Sequence, residues 1–177
     1  ASEPTQMPNL MLFTDGSVDT KTRVGFGAYL AVENIDSPLS DLLATVKVKP
    51  FENTSSTRLE LQTLLWAMDE ILLANTEQTQ RVMIYSDSQN IVGLPARRAG
   101  LEQRDYCANS GKRLNNADLY QQFYGMMDRC ACTLIKLDGH KPAREKDTLD
   151  KVFALVDKTS RAALRHFNHP RMDYEFR

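Results

Sequence analysis

The sequence lacks the features of three special classes of protein. It has 3 cysteines among 177 residues, and no second Cys or His pair stands at zinc-ligand spacing from Cys130 and Cys132, so neither a disulfide framework nor a structural zinc site is expected. No run approaches the ~20 apolar residues of a transmembrane helix. The first eight residues lack the basic and apolar regions of a signal peptide. We therefore expect a soluble protein of a reducing cytoplasm.

The chain also lacks an excess of charge of either sign. Its 22 Lys and Arg residues against 23 Asp and Glu residues give a formal charge of −1, which argues against a protein that coats nucleic acid through bulk charge. Neither an internal repeat nor a low-complexity tract is present. The length is most simply that of one domain. We expect a disordered N-terminal extension at 1–8, one α/β domain at 9–168 and a C-terminal tail at 169–177.

Hydrophobic patterns divide the chain into strands and helices. Apolar segments at 9–15, 24–33 and 42–49 predict an antiparallel meander. Leu61, Leu64 and Met68 then recur at helical spacing, which predicts a helix over 57–74. The later segments are a buried strand parallel to the first (81–86), a short helix (88–94), a helix (116–129), a strand (133–137) and a helix (147–166). The order βββαβαβα predicts a mixed five-stranded sheet with helices on both faces.

Four acidic residues stand at informative places in this order. Asp15 and Asp87 each close an apolar run, whereas Glu60 and Asp157 fall in predicted helices. Acids at the ends of buried strands usually serve chemistry. A cluster of carboxylates without thiolates suits Mg²⁺ or Mn²⁺ rather than Zn²⁺, and two such ions hydrolyse phosphodiesters. The pattern indicates a two-metal nuclease site.

Each acid also has a purely structural explanation. Asp15 begins an Asp-Gly pair, which is common in turns. Glu60 completes a Thr-x-x-Glu capping box with Thr57, and Asp87 is placed to cap a helix. Asp157 is one helical turn from an arginine, with which it is able to pair. Capping does not require acids at two neighbouring strand ends and on two helices, so the joint pattern favours the metal site.

Six short motifs follow one another along the chain: Thr14-Asp15-Gly16-Ser17, Gly25-Phe26-Gly27-Ala28-Tyr29, Arg58-Leu59-Glu60-Leu61, Asp87-Ser88-Gln89, Gly139-His140 and Asp157 through Arg161. Together they resemble type 1 ribonuclease H, which cuts the RNA strand of RNA–DNA hybrids. The resemblance implies that two Mg²⁺ ions, replaceable by Mn²⁺, are bound by Asp15, Glu60, Asp87 and Asp157. It also implies in-line attack by water, products with 3′-hydroxyl and 5′-phosphate ends, and a role for His140 in proton transfer or product release.

The fourth acid has competitors in the same region of the chain. Asp147 and Asp150 also lie between His140 and Asp157, and Asp150 is seven residues from Asp157, so both are able to project from one helix face. We choose Asp157 because the segment from Asp157 to Arg161 resembles the Asp-x-x-x-Arg step of the family. The stretch between His140 and Asp157 is longer than the family usually has.

Nucleic-acid contacts are expected at two places. Family members often carry Asn just before the Arg-x-Glu motif, where this chain has Ser55, Ser56 and Thr57. Ser56, Thr57 and Arg58, together with Gln89, are expected to contact 2′-hydroxyls and the minor groove. The segment 95–113 resembles the basic protrusion by which some members grip the DNA strand. Its candidate phosphate ligands are Arg97, Arg98, Lys112 and Arg113.

The sequence thus predicts a monomeric, Mg²⁺-dependent endoribonuclease that acts on RNA–DNA hybrids, and it implies no protein partner. Three alternatives stay open. The first is another nuclease of the same superfamily, although an exonuclease would carry Asp-x-Glu where this chain has Asp15-Gly16-Ser17. The second is a module that binds hybrid or duplex RNA without cutting, which the loss of an acid would favour; all four acids are present. The third is an adaptor domain of a larger assembly, which predicts a large exposed apolar patch.

Overall fold

The computed structural model describes residues 9–74, 81–138, 141–142 and 147–170. Within these ranges the strands are β1 (Asn9–Asp19), β2 (Val24–Val32), β3 (Lys47–Phe51), β4 (Arg81–Ser86) and β5 (Cys132–Lys136). The helices are α1 (Leu39–Ala44), α2 (Ser56–Ala74), α3 (Gln89–Val92), α4 (Leu94–Gln103), α5 (Ala117–Arg129) and α6 (Thr148–Asn168). The sheet order is β3-β2-β1-β4-β5. The pairs β1–β2 and β2–β3 are antiparallel, whereas β1–β4 and β4–β5 are parallel, so the predicted mixed sheet is confirmed.

Helices cover both faces of the sheet, and each face has its own apolar core. Because successive side chains of a strand point to opposite faces, Leu12 and Ile84 belong to one core, which includes buried residues of α2 to α5. Phe13 and Tyr85 belong to the other core, beneath α1 and α6. The rings of Phe13 and Tyr85 stack with their centroids 4.9 Å apart. The two-faced arrangement predicted from the sequence is confirmed.

Helix α2 approaches the sheet closely because glycines face it. A Cβ atom at Gly27 would overlap the side chain of Thr63, and one at Gly16 would lie 2.8 Å from Leu59 Cδ2. Both contacts are shorter than packed carbon atoms tolerate, so larger residues at these positions would push the helix away from the sheet. Leu59 and Thr63 flank Glu60 in the sequence. The glycines therefore bring the carboxylate of Glu60 towards the first strand.

Three predicted elements differ from the structure. The strand expected at 42–49 is the short helix α1 followed by β3, because Leu42 packs into the core beneath α6. The helix expected at 88–94 is interrupted at Gly93, and α4 continues it to Gln103. The first strand runs on to Asp19, since β2 pairs with it beyond Asp15.

None of the helices in the described ranges has the length and hydropathy needed to cross a bilayer. The extension expected at 1–8 and residues 171–177 of the expected tail lie outside the described residues.

Candidate active site

Three of the four predicted acids line one small cavity beside the end of β4. Asp15 lies two residues past Phe13, the last residue of β1 that pairs with β4. Asp87 directly follows β4, and Glu60 projects from α2. The cavity has a volume of about 10 Å³, close to the room that one water molecule needs. Its other lining residues are Thr14, Thr63, Ser86 and Ile91. Carboxylates from three separate elements therefore converge.

The fourth acid, Asp157, reaches this group from α6. The carboxyl groups of Asp15 and Asp157 share a hydrogen bond, and Arg161 Nε lies 3.0 Å from Asp157 Oδ1. The adjacent turn of α6 is fixed to the sheet, because the hydroxyl oxygens of Ser160 and Ser17 lie 3.1 Å apart. Ser160 is fully buried. The packing of α6 against β1 thus holds Asp157 beside Asp15.

The protonation of the site reflects its crowded negative charge. Burial, the hydrogen bond with Asp157 and the charge of Asp87 raise the pKa of Asp15 to about 8. Burial also raises the pKa of Glu60, although a hydrogen bond from Ser88 opposes this shift. The protein alone therefore does not fully compensate the negative charge of these carboxylates. A cation bound among them would do so.

The donor atoms fit a hard divalent cation. Carboxylate oxygens suit Mg²⁺ and Mn²⁺, and the described residues that line the cavity include no thiol or imidazole. In the part of the chain that the structure describes, no three His, Cys, Asp or Glu side chains stand close enough together to hold one ion. The site therefore suits a hard cation in the type of its donor atoms and in the convergence of the residues that carry them. We expect the carboxylates to turn inward when a cation binds.

The helix-capping explanations for Glu60 and Asp87 are wrong. The N-cap of α2 is Ser55, whose Oγ accepts a hydrogen bond from Arg58 N at 3.3 Å, so Glu60 lies beyond the reach of a capping box. The cap of α3 is Ser88 rather than Asp87. Ser88 Oγ also donates a 2.7 Å hydrogen bond to Glu60 Oε2. Asp15 lies within β1 and not in a turn.

The competing acids Asp147 and Asp150 have a capping role. Asp147 is the N-cap of α6, and its side chain forms a reciprocal capping box with Asp150. Asp150 is buried, and its Oδ2 lies 3.4 Å from Lys141 Nζ. These contacts tie both acids to the start of α6. Of the three acids, Asp157 is the one that the structure places against Asp15. His140 lies outside the described residues.

A comparison with known families agrees with this geometry. The profile of the family RNase H matches residues 7–155, a range that contains Asp15, Glu60 and Asp87. The chain belongs to the RNase H family. Asp157 lies two residues past the matched range. No curated protein matches the chain closely enough to count as a relative. Membership of the RNase H family supports a nuclease, a hydrolase that acts on nucleic acid, and agrees with the observed sheet.

A larger cleft on this RNase H domain, with a volume of about 790 Å³, carries positive charge. Three arginines and one aspartate line it together with polar residues: Arg23, Asn53, Ser55, Arg58, Arg113, Leu114, Asn115, Asn116 and Asp118. The guanidinium of Arg58 donates to Asp118, with NH2 3.2 Å from Oδ2. Arg58 of this basic cleft and Glu60 of the carboxylate cavity both project from the first turns of α2, in different directions because they are two residues apart.

Sequence reasoning missed most residues of the basic cleft, including Arg23 and Asn53. Arg23 and Asn53 both adopt left-handed backbone conformations, with φ of 60° and 51°. The carbonyl oxygen of Arg23 accepts a 2.9 Å hydrogen bond from Thr54 N, which joins the two segments. Asn is enriched in left-handed conformations, which gives a weak signal for Asn53. The sequence around Arg23 offers no comparable signal.

The predicted basic residues have different surroundings in the structure. Arg113 lines the basic cleft, and Lys112 is exposed beside it in the sequence. Arg98 lies 2.6 Å from Asp128 and 2.8 Å from Glu102, so its guanidinium joins α4 to α5. Arg97 stacks over the ring of Tyr120, 5.6 Å from its centroid. Ser56 and Gln89 are exposed at the starts of α2 and α3, whereas Thr57 is half-buried.

Proposed function

We propose that this member of the RNase H family is a type 1-like ribonuclease H, a monomeric endonuclease that cuts the RNA strand of RNA–DNA hybrids. One observation carries the proposal: Asp15, Glu60 and Asp87 converge on one cavity, and Asp157 is hydrogen-bonded to Asp15. They come from β1, α2, the end of β4 and α6. Gathering carboxylates whose negative charges repel one another opposes folding, which favours a functional reason for the cluster.

The proposed metal ligands are the four carboxylates. When bound, two Mg²⁺ or Mn²⁺ ions supply an activated water molecule and neutralise charge on the leaving oxygen. Ser88 orients Glu60 through its hydroxyl, and Arg161 holds one oxygen of Asp157. We also propose proton transfer by His140 and products with 3′-hydroxyl and 5′-phosphate ends. Residues 9–168 are the proposed catalytic domain.

The basic cleft supports binding of a nucleic-acid strand. Arg23 and Arg113 place guanidinium groups where phosphates are able to bind, whereas the guanidinium of Arg58 is paired with Asp118. Asn53 and Asn116 add amide groups to the cleft. The exposed side chains of Ser56 and Gln89, with Thr57, are proposed to contact the hybrid in its minor groove. Hydroxyl and amide groups both bond to a 2′-hydroxyl, which DNA lacks. This placement supports RNA as the strand that is cut.

The proposal is tested with three labelled substrates: an RNA–DNA hybrid, double-stranded RNA and single-stranded RNA. Each is incubated with the wild-type protein and with Asp15→Asn, in Mg²⁺, Mn²⁺ or EDTA. We expect cutting of the RNA strand of the hybrid alone, only with a metal, and none by the variant. Tight binding without cutting would instead identify a binding module. Cutting of duplex RNA would show that the Ser and Thr residues before Glu60 select a different substrate.

A further inference from the structure

A second group of potential ligand atoms lies where α5 ends and β5 begins. Cys130 is the C-cap of α5, and Cys132 is the first residue of β5. Cys130 Sγ lies 3.6 Å from the thioether sulfur of Met126, one helical turn earlier. Cys130 has an extended backbone and lies two residues before Cys132, so their side chains project to the same side of the chain, where both pack against one apolar core. Three sulfur-containing side chains therefore lie at the junction of α5 and β5.

This sulfur cluster of Met126, Cys130 and Cys132 is separate from the carboxylate cavity. Cys132 pairs with Val82 near the start of β4, whereas the cavity adjoins Ser86 at the end of that strand. Four residues of extended strand span roughly 13 Å. The cluster also lies on β5, which is an edge strand of the sheet. A ligand bound there would not touch the nuclease carboxylates.

The spacing of the sulfur atoms suits a shared metal ion. Two of three sulfur ligands at ~2.3 Å from one ion lie roughly 4 Å apart, and Met126 Sδ is 3.6 Å from Cys130 Sγ. Met126 is buried, whereas both cysteines are half-buried at the rim of the core. The cluster is thus supported by packing on one side and open to an ion on the other.

The backbone favours an ion over a direct disulfide. One residue, Ala131, separates the two cysteines, and an extended conformation at that residue would place their Cα atoms roughly 6.6 Å apart. That distance is at the upper end of the disulfide range. The segment is also held in the sheet, because Val82 N donates a 2.9 Å hydrogen bond to Ala131 O. A disulfide at its usual Cα separation of about 5.5–6 Å would draw the cysteines together and strain this pairing with β4.

We propose that Met126, Cys130 and Cys132 form a binding site for the soft monovalent cation Cu(I). Thiolate and thioether sulfur select Cu(I), whereas hard cations prefer oxygen. A structural zinc site would need four ligands, and among the described residues no His, Asp or Glu completes a group of three with these thiols. Cu(I) binding displaces the protons of both thiols.

The test loads the reduced, full-length protein with Cu(I) under anaerobic conditions, with bathocuproine disulfonate as the competing chelator. We expect one Cu(I) per chain and X-ray absorption from three Cu–S contacts. Cys132→Ser is expected to abolish competitor-resistant binding. Met126→Leu keeps the side-chain volume and is expected to weaken binding about tenfold or more, a change of at least about 1.4 kcal/mol. Cys107→Ser is the matched control, because Cys107 is also half-buried but bonds to Asp105 O.

Three results would overturn the proposal: no copper retained by the wild-type protein, equal loss in Cys107→Ser, or unchanged binding by Met126→Leu. Formation of a Cys130–Cys132 disulfide in place of copper binding would also contradict it. Mg²⁺-dependent nuclease activity of each variant reports correct folding and is expected to be unchanged. Met126→Leu and Cys132→Ser change different ligands. If one of these variants misfolds, copper binding by the other still tests the proposal.

Discussion

Ser88 Oγ donates a 2.7 Å hydrogen bond to Glu60 Oε2 and accepts a 3.3 Å hydrogen bond from Ile91 N. A single hydroxyl group thus begins α3 and orients a carboxylate of the proposed metal site. The same hydrogen bond lowers the pKa of Glu60 and opposes the effect of burial. The link joins two segments that are 28 residues apart in the sequence.

Removal of this hydroxyl is expected to weaken metal binding. Ser88→Ala should raise the Mg²⁺ concentration for half-maximal activity roughly tenfold, because groups that orient metal ligands typically contribute that much. Loss of the helix cap should also lower the free energy of unfolding by about 1 kcal/mol. Ser88→Thr retains a hydroxyl and is the control. A Mg²⁺ titration that is identical for Ser88→Ala and the wild type would remove Ser88 from the site.

The raised pKa of Asp15 predicts a pH-dependent stability of the metal-free protein. The folded state holds the Asp15 proton up to about pH 8, whereas the unfolded chain releases it near its ordinary value of 3.8. The folded state binds more protons between these values, so this residue makes the free energy of unfolding fall as pH rises from about 4 to about 8. Below about pH 4 the residue has no such effect.

Asp15→Asn should therefore stabilise the metal-free protein at pH 8, by roughly 1–3 kcal/mol, because one pKa unit corresponds to about 1.4 kcal/mol and relaxation reduces the full effect. At pH 4 the gain should vanish. Urea unfolding in EDTA at both pH values measures the difference, with the exposed Asp36→Asn as a control. Mg²⁺ should stabilise the wild type more than Asp15→Asn. An Asp15→Asn protein with the wild-type pH dependence would contradict this explanation.

Asp157 and Asp150 should give opposite results when each is changed to Asn. Asp157→Asn should slow cutting of the hybrid at least about 100-fold, since a ligand matters more than the groups that orient it. Asp150→Asn breaks the capping box and the contact with Lys141, so it should lower the free energy of unfolding by about 1 kcal/mol and leave kcat unchanged. Rates and urea unfolding separate the two. The reverse result would make Asp150 the fourth ligand.

The predicted basic residues should also separate into two groups. Arg113→Ala or Arg23→Ala should reduce the slope of log affinity against log salt by about 1, because each removes one phosphate contact. Arg98→Ala should lower Tm and leave this slope unchanged, because Asp128 and Glu102 already bind the guanidinium. Binding of labelled hybrid in EDTA over a range of salt concentrations measures each slope. A reduced slope in Arg98→Ala would place α4 on the nucleic-acid surface.

Long periodic segments were predictable from the sequence, whereas short elements were not. The 3.6-residue spacing of Leu61, Leu64 and Met68 predicts α2 to within one residue of its start, because that spacing is also the pattern of burial. Helix α1 has six residues and buries Leu42 alone. Its adjacent apolar residues are typical of a strand, but the segment is helical because Leu42 packs beneath α6. Local pattern therefore fails where a single tertiary contact determines the structure.

The convergence of Asp15, Glu60 and Asp87 on one cavity was predictable because strand ends and a following helix meet at one edge of a sheet. Their partners were not predictable. Ser17 and Ser160 are 143 residues apart, and their contact depends on how α6 packs against β1. The basic cleft depends on left-handed backbone at Arg23, a feature of the folded chain that no sequence pattern indicates.

The central claim is that four carboxylates form one metal-dependent site. Single-turnover cutting of a labelled RNA–DNA hybrid by Asp15→Asn, Glu60→Gln, Asp87→Asn and Asp157→Asn, with hybrid affinity measured separately in EDTA, tests it most directly. We predict that the wild type cuts the RNA strand only with Mg²⁺ or Mn²⁺. Each variant should bind the hybrid as tightly as the wild type and cut it at least about 100-fold more slowly. A wild type that does not cut the hybrid, or a variant that cuts at the wild-type rate, would contradict the claim.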